Sequence, residues 1–160
     1  MVRETLLEDL TKNSSVMPQV FAIDTTLAST ADSARAYGEV IKENEKLDDA
    51  GMPVFDIVLL GIGEDGHTAS LFPDSKAIED KNICTVGENP EDKTQRVSLS
   101  SGTLCAARRL IFMVRNENKA ETVYKILHGS ASTKECPARL YTEAQGRVTW
   151  FLDTPAGARL

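Results

Sequence analysis

The sequence predicts an α/β domain built on a largely parallel sheet, and three observations carry that prediction. Apolar runs of strand length at 54–60, 110–114 and Arg147–Leu152 alternate with segments of helical periodicity. The run at 54–60 is interrupted only by Asp56, the pattern of a strand buried on both faces, as a central parallel strand is. It stops at Gly61 and gives way to a polar, glycine-rich loop, the position at which open α/β sheets bind their ligands. A three-layer arrangement follows from the alternation, and 160 residues fit one domain, 1–160, with a sizeable core.

The elements are expected in this order. Residues 1–10 read as the end of a helix, with Val2, Leu6, Leu7 and Leu10 at helical spacing. Residues 12–18 form a loop, and 20–23 a short strand or extended segment. A helix starts at Thr30 as N-cap and runs to about Leu47, with Ala34, Tyr37, Ile41 and Leu47 on its apolar face. Residues 48–53 turn the chain into the strand at 54–60. After the glycine loop a short helical segment ends at Pro73, and 87–94 is a surface loop. A strand at 96–100 leads to a short helix capped by Ser101, and the apolar strand LIFMV at 110–114 to a helix over 119–127 with Gly129 as its C-terminal cap. Arg147–Leu152 is the last strand, and Thr154 caps a terminal helical turn.

Composition is that of a water-soluble globular chain: 41% hydrophobic and 26% charged, with net charge −6 and no basic cluster. Neither nucleic acid nor a membrane surface is an expected partner, and an anionic substrate must be met by local cations. No apolar run of membrane-spanning length and no charged-then-apolar leader occurs, and a cytoplasmic location is expected. Cys84, Cys105 and Cys136 are odd in number and widely spaced, as expected of reduced, mostly buried thiols.

Gly61, Gly63 and Gly66 spell the G-x-G-x-x-G of dinucleotide-binding loops, but that loop opens a long helix, and Pro73 stands six residues beyond His67. No Gly-Lys-Ser or Gly-Lys-Thr follows, which also excludes a Walker-type loop. The fifteen residues LLGIGEDGHTASLFP at 59–73 instead closely resemble the signature of 6-phosphogluconolactonases, within the group that includes glucosamine-6-phosphate isomerases/deaminases. MVRETLL at 1–7, RVSLS at 96–100, Ala107-Arg108, Lys119-Ala120, Pro137-Ala138 and WFLD at 150–153 fall in the order that family shows. The family also has an amino-terminal glycine- and serine-rich phosphate loop and an Asp-Glu-Arg segment, expected upstream of Met1; neither is among these residues. Two readings follow: part of a longer chain, or a chain that has lost that segment.

The resemblance implies the glucosamine-6-phosphate isomerase fold and hydrolysis of 6-phosphogluconolactone in the oxidative pentose phosphate pathway, with a sugar-phosphate lactone as the molecule bound. The isomerase/deaminase relatives carry a Glu five positions after the matching His, where this chain has Phe72, and a phenyl ring relays no proton. Lactone hydrolysis is therefore favoured over amino-sugar-phosphate isomerisation, with a non-catalytic sugar-phosphate-binding domain as a further alternative. His67 is the candidate general base, since an imidazole of ordinary pKa about 6.5 suits deprotonation of water at neutral pH. Asp65 is placed to orient it or to hold a substrate hydroxyl, Gly63 and Gly66 to bring backbone N–H groups to the substrate, and Arg96 and Lys119 to meet the phosphate. Lys119 matches a lysine that contacts the sugar phosphate in relatives. Glu64 reads as a solvated loop residue, and His128 as a residue that suits the carboxyl end of a helix. A base-plus-oxyanion mechanism requires no cofactor or metal, and none is expected.

Overall fold

The computed structural model describes residues 3–8, 12 and 18–160. Within the expected amino-terminal helix, Arg3–Leu7 forms one π-helical turn. Val2 and Leu10 lie outside the described residues, as does most of the loop expected at 12–18. Residues 20–23 join no strand ladder.

Helix α1, Thr30–Asn44, begins one residue after its cap: Ser29 is extended, and its hydroxyl accepts the Asp32 N–H at 3.1 Å. It stops at Asn44 rather than near Leu47, because Glu45 turns extended and donates its N–H to the Ile41 carbonyl. Leu47 instead bridges to Pro53 and is exposed, so it does not extend the apolar face. Ala34 and Ile41, joined by Tyr37, pack on Ile83, Cys84, Val86, Val97 and Leu99.

Cys84, Val86, Val97 and Leu99 of that set belong to a hairpin that the sequence only partly announced, and Ile83 directly precedes it. Strands β2, Cys84–Glu88, and β3, Gln95–Leu99, pair antiparallel, so Gly87 and Glu88 are strand residues and only the tip at 89–94 is loop. The tip is closed by the Asn89 N–H to the Thr94 carbonyl at 2.9 Å and by Asn89 and Asp92 side chains accepting backbone N–H groups.

Strand β1 is shorter than its apolar run. Only Val58–Leu60 pairs, in parallel, with β4, Arg109–Val114, which pairs in parallel with β5, Arg147–Leu152. Among the described residues the order is β1-β4-β5, so β4 is central and β1 stands at an edge. One face of this sheet carries the main core: Val58, Leu60, Leu110, Phe112 and Val114 pack with Leu71, Leu104, Val123, Ile126, Ala138 and Leu140. Phe112, fully buried, stacks on Trp150 with centroids 4.1 Å apart and planes at 7°. The opposite face holds Ile57, Leu59, Met113 and Phe151, 54–59% exposed, so the described residues do not supply the layer that burial of β1 on both faces requires.

Helix α2, Ser101–Cys105, is capped by Ser100, whose buried hydroxyl accepts the Thr103 N–H, one residue earlier than expected. Helix α3, Ala120–His128, is preceded by a 3₁₀ turn, Glu117–Lys119, and ends with the Gly129 N–H on the Lys125 carbonyl, as the glycine predicted. At the carboxyl terminus Asp153, not Thr154, closes the turn by accepting the Ala156 N–H at 2.9 Å. No helix among the described residues is long and apolar enough to cross a membrane.

Candidate active site

The loop after β1 places its functional side chains by internal hydrogen bonds. Thr68 is fully buried, and its hydroxyl donates to the Gly61 carbonyl at 2.8 Å, tying the end of the loop to the end of the strand. Ala69 at φ 50 and a Thr68–Leu71 bridge turn the chain where a short helix was expected. A left-handed residue inside the segment prevents helical propagation. The Gly63 N–H donates to the His67 carbonyl at 2.8 Å and the Gly66 N–H to the Gly63 carbonyl at 3.2 Å, so the loop closes on itself.

Closure sets His67 against Asp65. Asp65 Oδ1 accepts from His67 Nδ1 at 2.7 Å and from the His67 backbone N–H at 3.0 Å. A carboxylate that receives Nδ1–H leaves Nε2 with its lone pair. The ring is held on another side by buried Phe72, with centroids 4.6 Å apart. Phe72 therefore packs the imidazole in place, in keeping with an apolar residue that relays no proton.

His67 and Asp65 open onto a cleft of about 380 Å³ that is also lined by Gly63, Glu64, Phe72 and Lys119, and on the hairpin side by Asn89, Glu91 and Arg96. Five of the six residues singled out in the sequence thus meet at one cleft, although Arg96 and Lys119 come from different elements. Lys119 is only 20% exposed and sits in the 3₁₀ turn before α3. Arg96 lies in β3 opposite Gly87, with the hairpin tip beside it.

The glycines act differently from the expectation. Both N–H groups are spent inside the loop, so neither is available to a substrate. Gly63 leaves room: a Cβ there would meet the His67 ring and the Asp65 carboxylate. Gly66, at φ +84, faces Cys136, whose Sγ would lie 2.7 Å from an added Cβ, and it is not part of the cleft wall.

Glu64 is also more than a solvated residue. Its Oε1 accepts from Asn118 Nδ2 at 2.5 Å and lies 3.9 Å from Lys119 Nζ, while its carbonyl accepts the Thr122 hydroxyl at 2.8 Å. Sequence reading missed this because Asn118 and Thr122 stand 54 and 58 positions away, in an ordinary helix start. His128 lies tilted against Tyr124 at the end of α3, with centroids 4.8 Å apart, away from the cleft lining. Among the described residues no group of three or more His, Cys, Asp or Glu side chains is arranged to hold a metal ion.

The chain resembles known proteins in both sequence and structure. The family described as glucosamine-6-phosphate isomerases/6-phosphogluconolactonase matches residues 1–150. The 6-phosphogluconolactonase of Rattus norvegicus is 36% identical over 144 residues, 89% of this chain and 54% of that protein. That of Synechocystis is 31% identical over 142 residues, 88% and 58% of the two chains. The solved 6-phosphogluconolactonase of Trypanosoma brucei superposes with a TM-score of 0.81 at 34% identity, over 99% of this chain and 65% of that one. A monomeric glucosamine-6-phosphate deaminase, 19% identical with a TM-score of 0.67, shares the fold. The chain spans about half the length of the curated relatives it matches. With the signature loop, the paired strands and the match over residues 1–150 in agreement, the chain belongs to the glucosamine-6-phosphate isomerase/6-phosphogluconolactonase family.

Proposed function

We propose that the cleft hydrolyses a sugar-phosphate lactone, 6-phosphogluconolactone, to 6-phosphogluconate, as a cytoplasmic step of the oxidative pentose phosphate pathway. The observation that carries this reading is the Asp65–His67 pair at 2.7 Å, opening onto a cleft whose walls also carry Lys119 and Arg96. Water held at His67 Nε2 gives up a proton as its oxygen adds to the lactone carbonyl carbon. The tetrahedral adduct then breaks the ring C–O bond, and the departing alkoxide takes the proton back from the imidazolium. The product is an open-chain hydroxy acid, and the base is regenerated. Asp65 keeps Nδ1 protonated and offsets the transient positive charge on the ring. Lys119 and Arg96 meet the phosphate, which supplies binding energy remote from the reacting carbonyl. The names of the relatives support the substrate class, and Phe72 in contact with the His67 ring supports hydrolysis over isomerisation.

The test is hydrolysis of freshly generated 6-phosphogluconolactone, corrected for spontaneous opening, by the parent and by His67→Ala. The parent accelerates the reaction, and the variant folds but loses at least about a hundredfold in rate, the lower end of a general-base contribution. Equal rates in the two proteins would remove His67 from the reaction, and no acceleration by the parent would refute lactone hydrolysis by this chain.

A further inference from the structure

The turn that carries Lys119 is held in an unfavourable backbone conformation by two carboxylates that come from distant parts of the chain. Asn116 adopts φ 80 and ψ 149, next to a region that only glycine enters freely. Its N–H donates to both oxygens of Asp153, at 3.2 and 3.1 Å, immediately after β5. Asp153 is itself fixed by the Ala156 N–H at 2.9 Å. Two residues further on, Asn118 donates to Glu64 Oε1 at 2.5 Å, and the Glu64 carbonyl takes the Thr122 hydroxyl. The segment from Asn116 to Thr122 is thus anchored to the end of the sheet at one end and to the His67 loop along its side. Lys119 lies between these anchors, one-fifth exposed, with Glu64 as its ion-pair partner at 3.9 Å.

A surface lysine at the start of a helix needs none of this. Left-handed strain in a non-glycine residue persists only where surrounding contacts impose it, and it clusters at sites whose geometry matters. Glu64 is one residue from Asp65 and three from His67, so the same loop that holds the base also holds the lysine turn. We propose that Asp153 and Glu64 are positioning residues: together they fix the distance between the Lys119 ammonium and His67, and so the reach between a substrate's phosphate and its reacting carbonyl. This rests on the sugar-phosphate reading of the cleft. Glu64 has a further effect, since its carboxylate pairs with Lys119 until a more highly charged phosphate takes the ammonium over, which disfavours ligands without one.

The test compares binding of 6-phosphogluconate and of gluconate by calorimetry. The two differ only in the phosphate, so the ratio of their affinities isolates that contact. The parent prefers 6-phosphogluconate, and Lys119→Ala weakens the preference to the part that Arg96 supplies. Asp153→Ala and Glu64→Ala each reduce the ratio by about tenfold, the equivalent of one hydrogen bond to a charged group. Asn116→Gly, which adopts the strained conformation without penalty, restores most of the ratio in the Asp153→Ala background. A merely structural role would lower the melting temperature of these variants and leave the ratio unchanged. If the parent shows a preference that depends on Lys119 and folded Asp153→Ala and Glu64→Ala retain it, the positioning role is refuted while the sugar-phosphate reading stands. If the parent's preference is unchanged in Lys119→Ala, the positioning role is refuted, and if the parent shows no preference at all, the sugar-phosphate reading is refuted with it.

Discussion

Substituting Gly63 by alanine tests the geometry of the His67 site at a modest cost to the stability of the fold. Gly63 is not in the left-handed region, so its backbone accepts alanine, and such an exchange ordinarily stabilises by about 0.4–1 kcal/mol through the unfolded chain. The added methyl nevertheless falls on His67 Nδ1 and Cε1 and on Asp65 Oδ1, closer than side chains approach. The ring has little room to retreat, because buried Phe72 packs against it with centroids 4.6 Å apart. The 2.7 Å Asp65–His67 contact must therefore open. Both partners are partly exposed, so losing the pair costs only about 0.2–1 kcal/mol, comparable to the gain from the alanine. Crowding the methyl against a ring with little room adds about 1–3 kcal/mol, so the melting temperature should fall by about 2–12 °C, at roughly 2–4 °C per kcal/mol for a chain of this size. The rate should fall by about 10²–10⁴, the range of a general-base contribution. Thermal melts followed by circular dichroism, with lactone hydrolysis in a pH-stat, measure both quantities. A folded Gly63→Ala protein that hydrolyses at the parent rate would refute the claim that this dyad geometry carries the reaction.

Two further outcomes concern the scaffold. Phe112→Ala removes a fully buried ring stacked on Trp150, and a loss of about 3–5 kcal/mol is expected in urea unfolding, against less than about 1 kcal/mol if the ring were dispensable. Burial pushes the thiols of Cys84 and Cys105 up to about 11 from an ordinary 9.0. The folded state thus favours the protonated thiols, and their contribution to stability, complete below pH 9, is lost as pH rises from 9 to 11. Melts at pH 8 and pH 10.5 should show a steeper decline for the parent than for a Cys84→Ala/Cys105→Ala variant, and identical declines would contradict the burial argument.

Most of the candidate site was legible because it is contiguous. Gly63, Asp65 and His67 stand within five positions, after an apolar run that ends in glycine, and the loop's internal bonds hold them together, whereas Gly66 turns away toward Cys136. Arg96 and Lys119 were found through motif matches and their places at element starts, and the fold brings both to the cleft. The hairpin was half-read, since Cys84–Glu88 alternates weakly and ends in Gly87 and Glu88, which signal a loop locally; pairing with β3 overrides that signal. The segment before Pro73 was misread as helical because periodicity is blind to the left-handed turn at Ala69.

By itself the sequence determined the α/β class, the order of the main elements, the His67 loop and the family, because these depend on short-range periodicity and on one unbroken motif. Only the tertiary structure decided that the loop glycines spend their N–H groups on the loop itself, that Phe72 braces the imidazole, and that Glu64 and Asp153 hold the Lys119 turn. Those contacts join residues up to 58 positions apart, and nothing in the local pattern of a Glu, an Asn or an Asp records the partner that the folded chain will bring to it.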